Sequence, residues 1–191
     1  MDNYYFKDGA FHLKSKWSKT IRGFIAGIFV ATSLTMVNTT AYSSYQSNLD
    51  WKSEYIGYIQ KSNPTVKEKD ARDIVLATLK WANQYKLDEK LILAVAKVES
   101  NFYNHAISPS GAYGLMQVIP VWHKDKILAA RKDVGNPELF NISTNIYLGA
   151  RVLKDCVDKT TGLNKALLCY AGNTSGYDQK VLAEYSKLQK I

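Results

Sequence analysis

Apolar residues recur at helical spacing through most of the chain beyond residue 50. Ile74, Val75, Thr78, Leu79 and Ala82 form one side of a predicted helix, and Thr65 with Glu68 has the form of a capping box at its start. Asp88 is placed to cap a second helix. On it Ile92, Val95, Val98 and Glu99 share a face, because spacings of three and four bring side chains together. Further helices are predicted over 122–132, from about Thr144 to Val157, from near Leu163, and over 178–190, with a turn at Asn136-Pro137. No alternating run exceeds a few residues, so the reading is an all-α domain at 64–191. Residues 43–63 begin rich in Ser, Tyr, Gln and Asn and read as a linker, with a short helix near 51–60.

Glu99 stands out on this pattern, as an acid closing an apolar stripe. A charge there costs desolvation energy unless it is paired or used. The residues that follow, up to Gln117, are rich in Ser, Gly, Asn and Pro and read as a loop folded back over the acid. A carboxyl in an apolar niche beside a polar cleft stays protonated near neutral pH and can act as a general acid. A helix-end Glu in a surface ion pair is the plainer alternative, and position alone does not separate the two.

Spacing does. Glu99-Ser100, then Ser108, Gly111-Ala112 and Gly114-Leu115-Met116-Gln117 form a gapless stretch of fixed positions. It resembles the signature of the soluble lytic transglycosylases, enzymes with a goose-type lysozyme fold that cut peptidoglycan. Asn145-Ile146-Tyr147-Leu148-Gly149-Ala150 resembles the family's N-I-x-L-G-x helix start. Ala166 to Asn173 resembles its A-x-x-A-Y-N-A-G segment, with Ala171 where the family usually has Asn; Val152 stands where it often has Tyr. The matches cover roughly residues 70–180.

The resemblance implies a lysozyme-like helical fold and a single catalytic acid, Glu99, that protonates the β-1,4 bond between MurNAc and GlcNAc. The N-acetyl group then assists at the anomeric carbon. The same Glu next acts as base on the sugar's C6 hydroxyl, leaving a 1,6-anhydro end. It further implies that Ser108 contacts the N-acetyl group, that Gln117 lines the cleft, and that the Tyr170 hydroxyl lies near the acid. Gly114, Asn145 and a stacking Tyr113 are the other candidate sugar contacts. Most glycosidases need two carboxylates, and no acid lies between Glu99 and Asp125. Two rivals stay open: a lysozyme-type hydrolase on the same fold, and an inactive wall-binding membrane protein.

The N-terminus bears on location. Lys7, Lys14, Lys16, Lys19 and Arg22 form a basic segment, 1–22, ahead of an uncharged stretch from Gly23 to Leu49. Its apolar part, 23–42, fits either a signal peptide or a membrane anchor with its basic end inside. Either would carry the domain across the inner membrane to the periplasm, where peptidoglycan strands would be its partner. A secretion, conjugation or phage-virion assembly is a further expected partner. The formal charge of +8 suits an anionic polymer. No nucleic-acid motif is present, and no nucleic-acid binding is expected. Cys156 and Cys169 flank a short turn at Thr160–Gly162 and could pair in an oxidising compartment. His12, His105 and His123 form no metal-binding spacing, so neither a metal nor another cofactor is expected.

Overall fold

The computed structural model describes residues 52–135 and 137–191 in full, together with the backbone of 4–7 and 10–13. The chain divides into two compact units, Met1–Ser43 and Ser44–Ile191. In the first, β1 (Tyr4–Lys7) and β2 (Ala10–Leu13) pair antiparallel, with Tyr4 opposite Leu13 and Lys7 opposite Ala10. The basic segment 1–22 thus also holds a hairpin, which the sequence reading does not name. The overlooked signal is two aromatic-rich quartets separated by Asp-Gly, the dipeptide that favours two-residue hairpins. The anchor or signal segment, 23–42, and Asn136 of the expected turn lie outside the described residues. Among the described residues no helix is long and apolar enough to cross a membrane.

The second unit is helical: α1 (residues 52–62), α2 (Glu68–Tyr85), α3 (Glu89–Ser100), α4 (Lys124–Val134), α5 (Ile142–Lys159), α6 (Leu163–Tyr170) and α7 (Tyr177–Leu188). Helix α3 lies at its centre. Leu91 to Ala96 are all buried, so this helix is apolar all round over its middle turns, as a core helix must be. Asp88 caps it, its side chain accepting from the Lys90 amide at 2.8 Å. Helix α2 packs on α5, where Trp81 meets Tyr147 edge-on at 4.7 Å and donates its indole N–H to Ser143 Oγ at 3.0 Å.

Two expectations need correction. The short helix expected near 51–60 forms over 52–62, but it belongs to the core and not to a linker, since Tyr55 and Ile59, one turn apart, are buried in the main cluster. The Thr65–Glu68 capping box does not form. Asn63 Oδ1 accepts from both the amide and the hydroxyl of Thr65, at 3.1 and 2.6 Å, and this local turn takes the hydroxyl away from the helix. Helix α2 starts later, with Lys67 at its N-cap and no side-chain cap. Asn63 gains another use: its Nδ2 donates to Asn101 O at 2.9 Å, tying the end of α1 to the end of α3.

Cys156 on α5 and Cys169 on α6 are joined in a disulfide, with Cα atoms 5.7 Å apart. The link fixes the short helix α6, whose last residue is Tyr170, against the longer α5.

Candidate active site

Glu99 lies in the last turn of α3, beyond the fully buried section. The chain then reverses sharply. Asn101 and Phe102 both have positive φ, 51° and 61°, a conformation Asn tolerates and Phe does not favour. The cost at Phe102 is offset by burial of its ring, which meets Tyr58 edge-on at 5.9 Å. Ser100 fastens the returning loop, its hydroxyl lying 2.9 Å from Leu115 O and 3.1 Å from Ala96 O.

The loop is built around Asn145, a fully buried residue of α5. Its Oδ1 accepts from the Met116 amide at 2.7 Å, and its Nδ2 donates to Tyr113 O and Leu139 O, both at 2.8 Å. Gly114 passes directly over this side chain with φ 75°, where a Cβ would lie 2.4 Å from Asn145 Nδ2 and 2.8 Å from Leu139 O. Gly149, one turn further on α5, leaves room for Met116, which a Cβ would meet at 2.4 Å. The requirement for glycine at both places is steric. Asn145 and Gly114 therefore hold the loop from beneath and lie outside the cleft lining, whereas sugar contact is the expectation for both. Tyr113 also falls outside the cleft lining. Its backbone bridges Ile107 and Val118, and its ring packs edge-on against Phe140 at 5.6 Å.

A cleft of about 290 Å³ opens between this loop, the turn before α4, helix α5 and the α6–α7 connection. Glu99, Ser108, Gln117 and Tyr170 all line it, brought together from sequence positions up to seventy-one residues apart. Ala171 and Val152, the two departures from the family pattern, line it as well. Among the described residues, Glu99 is the sole carboxylate in the lining.

Burial raises the Glu99 carboxyl to about 7, against an opposing pull from the Tyr177 hydroxyl. That hydroxyl donates to Glu99 Oε1 at 2.6 Å. Burial also raises the Tyr177 and Tyr170 hydroxyls, so both remain protonated and donate to the acceptors they face. With Oε1 occupied by Tyr177, the carboxyl proton is directed to Oε2. Tyr170 is near the acid, as the resemblance implies, but its hydroxyl donates to Met116 O at 2.7 Å and its ring stacks on Tyr177 at 6.3 Å. It braces the loop and the tyrosine that touches the acid. Tyr177 is thus the residue that sequence reasoning missed. Seventy-eight positions separate it from Glu99, and no local pattern marks it.

Gln117 donates through Nε2 to Gly114 O at 2.9 Å and Ala106 O at 3.3 Å, leaving its amide oxygen for a ligand. The Ser108 hydroxyl accepts from the Ala112 amide at 3.0 Å and lies 2.8 Å from Ser110 Oγ, so its own proton can be turned to an incoming acceptor. His123, at the N-cap of α4, also lines the cleft, and burial holds its imidazole below its ordinary value, favouring the neutral ring. Among the described residues no group of three His, Cys, Asp or Glu side chains could hold a metal ion.

Tyr177→Phe removes a bond that favours the ionised carboxylate, so the Glu99 pKa rises further. The alkaline limb of kcat/KM against pH should move upward. Loss of the fixed carboxyl orientation should lower the maximal rate about tenfold, within the range of effects of positioned acids. An unchanged pH profile would show that Tyr177 does not act on Glu99.

An acid shielded under a glycine-turned loop thus faces a hydroxyl and an amide across one cleft. The chain belongs to the transglycosylase SLT domain family, whose model matches residues 77–191. It is 36% identical over 92 residues to a transglycosylase of Enterobacteria phage PRD1, covering 48% of this chain and 32% of that protein. A membrane-bound lytic murein transglycosylase E of Buchnera aphidicola is 36% identical over 107 residues, covering 54% and 47%. A membrane-bound lytic murein transglycosylase C of Haemophilus influenzae is 36% identical over 89 residues, covering 45% and 25%. The chain thus spans less than half the length of these relatives.

Proposed function

We propose that the protein is a peptidoglycan lytic transglycosylase, with Glu99 as its acid and base. The observation that carries this reading is the Glu99 carboxyl, raised by burial to about 7 in a cleft whose described lining holds no second acid. At neutral pH such a group is present in both protonation states, which a residue that first gives and then takes a proton requires.

The steps follow from the side chains available. Glu99 gives its proton to the leaving GlcNAc oxygen while the MurNAc N-acetyl oxygen bonds to the anomeric carbon, forming a cationic oxazolinium ring. Ser108 is placed to orient that N-acetyl group and Gln117 to accept from a sugar hydroxyl or amide. The Glu99 carboxylate then takes the C6 hydroxyl proton. O6 bonds to the anomeric carbon, the oxazolinium bond breaks, and the acetamide and the protonated acid are restored. The internal attack gains from proximity, since O6 is already held on the same ring.

Residues 23–42, with the basic residues before them, further suggest a domain tethered to or exported across the inner membrane. The phage and membrane-bound relatives agree with a role in opening the wall for an envelope-spanning assembly or for phage DNA. The purified full chain should release soluble muropeptides from isolated sacculi. Binding to sacculi without any release would instead favour an inactive wall-binding protein.

A further inference from the structure

Two tryptophans of the helical unit have opposite fates. Trp81 is 2% exposed, packed edge-on against Tyr147 and hydrogen-bonded through its indole N–H. Trp122 is 68% exposed although it lines the same cleft as Glu99, and its indole N–H makes no hydrogen bond among the described residues. Leaving so large an apolar surface in water forgoes stabilisation that burial would supply. Exposure here is not the looseness of a floppy loop. Trp122 N–H donates to Ile119 O at 3.2 Å and His123 N–H to Pro120 O at 3.3 Å, closing successive tight turns. The His123 carbonyl then accepts from Ile127 in the first turn of α4. That helix is in turn pinned to α5 by Lys126 and Asp155 at 2.8 Å, with the Lys126 side chain only 16% exposed.

We propose that Trp122 is a substrate-binding residue that stacks against one pyranose ring of the glycan at the cleft rim, a ring that Glu99 does not attack. The inference rests on the peptidoglycan reading of the cleft. In a β-1,4-linked N-acetylhexosamine the ring substituents are equatorial, so each face of the ring presents axial C–H bonds. Such a face matches the flat apolar surface of an indole, and the free N–H at the indole edge can donate to a sugar oxygen. Pockets that combine aromatic walls with a few placed polar groups bind ligands in this way. The acid is far less exposed than Trp122, and the rim position suits a ring held for alignment of the strand. Trp122 then contributes to capture of the glycan more than to the chemical step.

The test uses the full chain in detergent in two formats. Calorimetric titration of the Glu99→Gln protein with the β-1,4 tetramer of N-acetylglucosamine measures affinity without cleavage. Steady-state release from sacculi by the otherwise wild-type chain separates KM from kcat. Trp122→Ala should weaken tetramer binding and raise KM about tenfold each, as expected for loss of one aromatic stacking contact. The change in kcat should be much smaller, and Trp122→Tyr should recover most of the affinity. Affinity and KM within twofold of the parent, or no measurable binding by the parent, would overturn the proposal. So would a Trp122→Ala protein that loses binding to phosphatidylglycerol vesicles but keeps its affinity for sugar, which would make the rim a membrane contact. The titration requires no cleavage. A chain that binds tetramer through Trp122 yet releases no muropeptide would defeat the transglycosylase reading and leave this one standing.

Discussion

Glu99→Gln should lower muropeptide release by a factor of about 10² to 10⁴ and at the same time make the protein more stable at alkaline pH. The first effect follows from chemistry: the amide keeps the shape of the carboxyl but can neither give nor take the proton, and general acid–base catalysis contributes about that much in rate. The second follows from burial. Glu99 has its carboxyl raised from 4.5 to about 7 in the folded chain. Between those values the native state binds more protons than the unfolded state, so stability is highest below about 4.5 and falls as pH rises to about 7, after which this contribution is flat. The fall amounts to about 3 kcal/mol at most. Gln has no such penalty and can still accept from Tyr177. The variant should therefore exceed wild type by about 1–3 kcal/mol at pH 8 and lose that advantage near pH 4.5. Urea unfolding at the two pH values reads this directly. A folded variant that releases muropeptides near the wild-type rate would remove Glu99 from the mechanism, and equal stability at both pH values would contradict its burial.

Asn145→Leu should destabilise the helical unit by about 3–5 kcal/mol. Three backbone groups depend on this side chain: the Met116 amide and the carbonyls of Tyr113 and Leu139. Each buried polar group left without a partner costs about 1–3 kcal/mol, and the leucine side chain recovers part of that by its own burial. Asn145→Asp should also be costly, because it keeps the acceptor for Met116 but sets oxygen against two carbonyls. Since the same bonds hold the 113–117 segment over the acid, muropeptide release should fall in parallel with stability, measured by urea unfolding. A loss below about 1 kcal/mol for Asn145→Leu would mean that water replaces these bonds and that the loop does not depend on them.

The helix that carries the acid was legible because its signals are local. Asp88 caps it, the apolar positions recur every three or four residues, and Glu99 interrupts them. The same holds for α5, α6 and α7, whose bounds lie within a few residues of those predicted from pattern. Helix α1 was legible as a short helix near 51–60, but its polar neighbours resemble a linker in composition, so its place in the core was not. The capping box at Thr65 failed because a nearer acceptor, Asn63, competes for the same hydroxyl. Site residues divided along similar lines. Glu99, Ser108 and Gln117 lie within nineteen consecutive residues and are read together. The partner of the acid is one of thirteen tyrosines and is brought to it only by the packing of α7 on α3. A motif match cannot distinguish an Asn that lines a cleft from one that holds the loop beside it, and Asn145 does the second.

One carboxyl and the substrate's own C6 hydroxyl should complete the reaction without water. Mass spectrometry of muropeptides released from sacculi by the full chain, in water enriched in heavy oxygen, tests it most directly. The expected products carry 1,6-anhydro-muramyl ends, one water lighter than hydrolysed ends and free of heavy oxygen. Products with only free reducing ends that have taken up the label would contradict it and make the protein a lysozyme-type hydrolase.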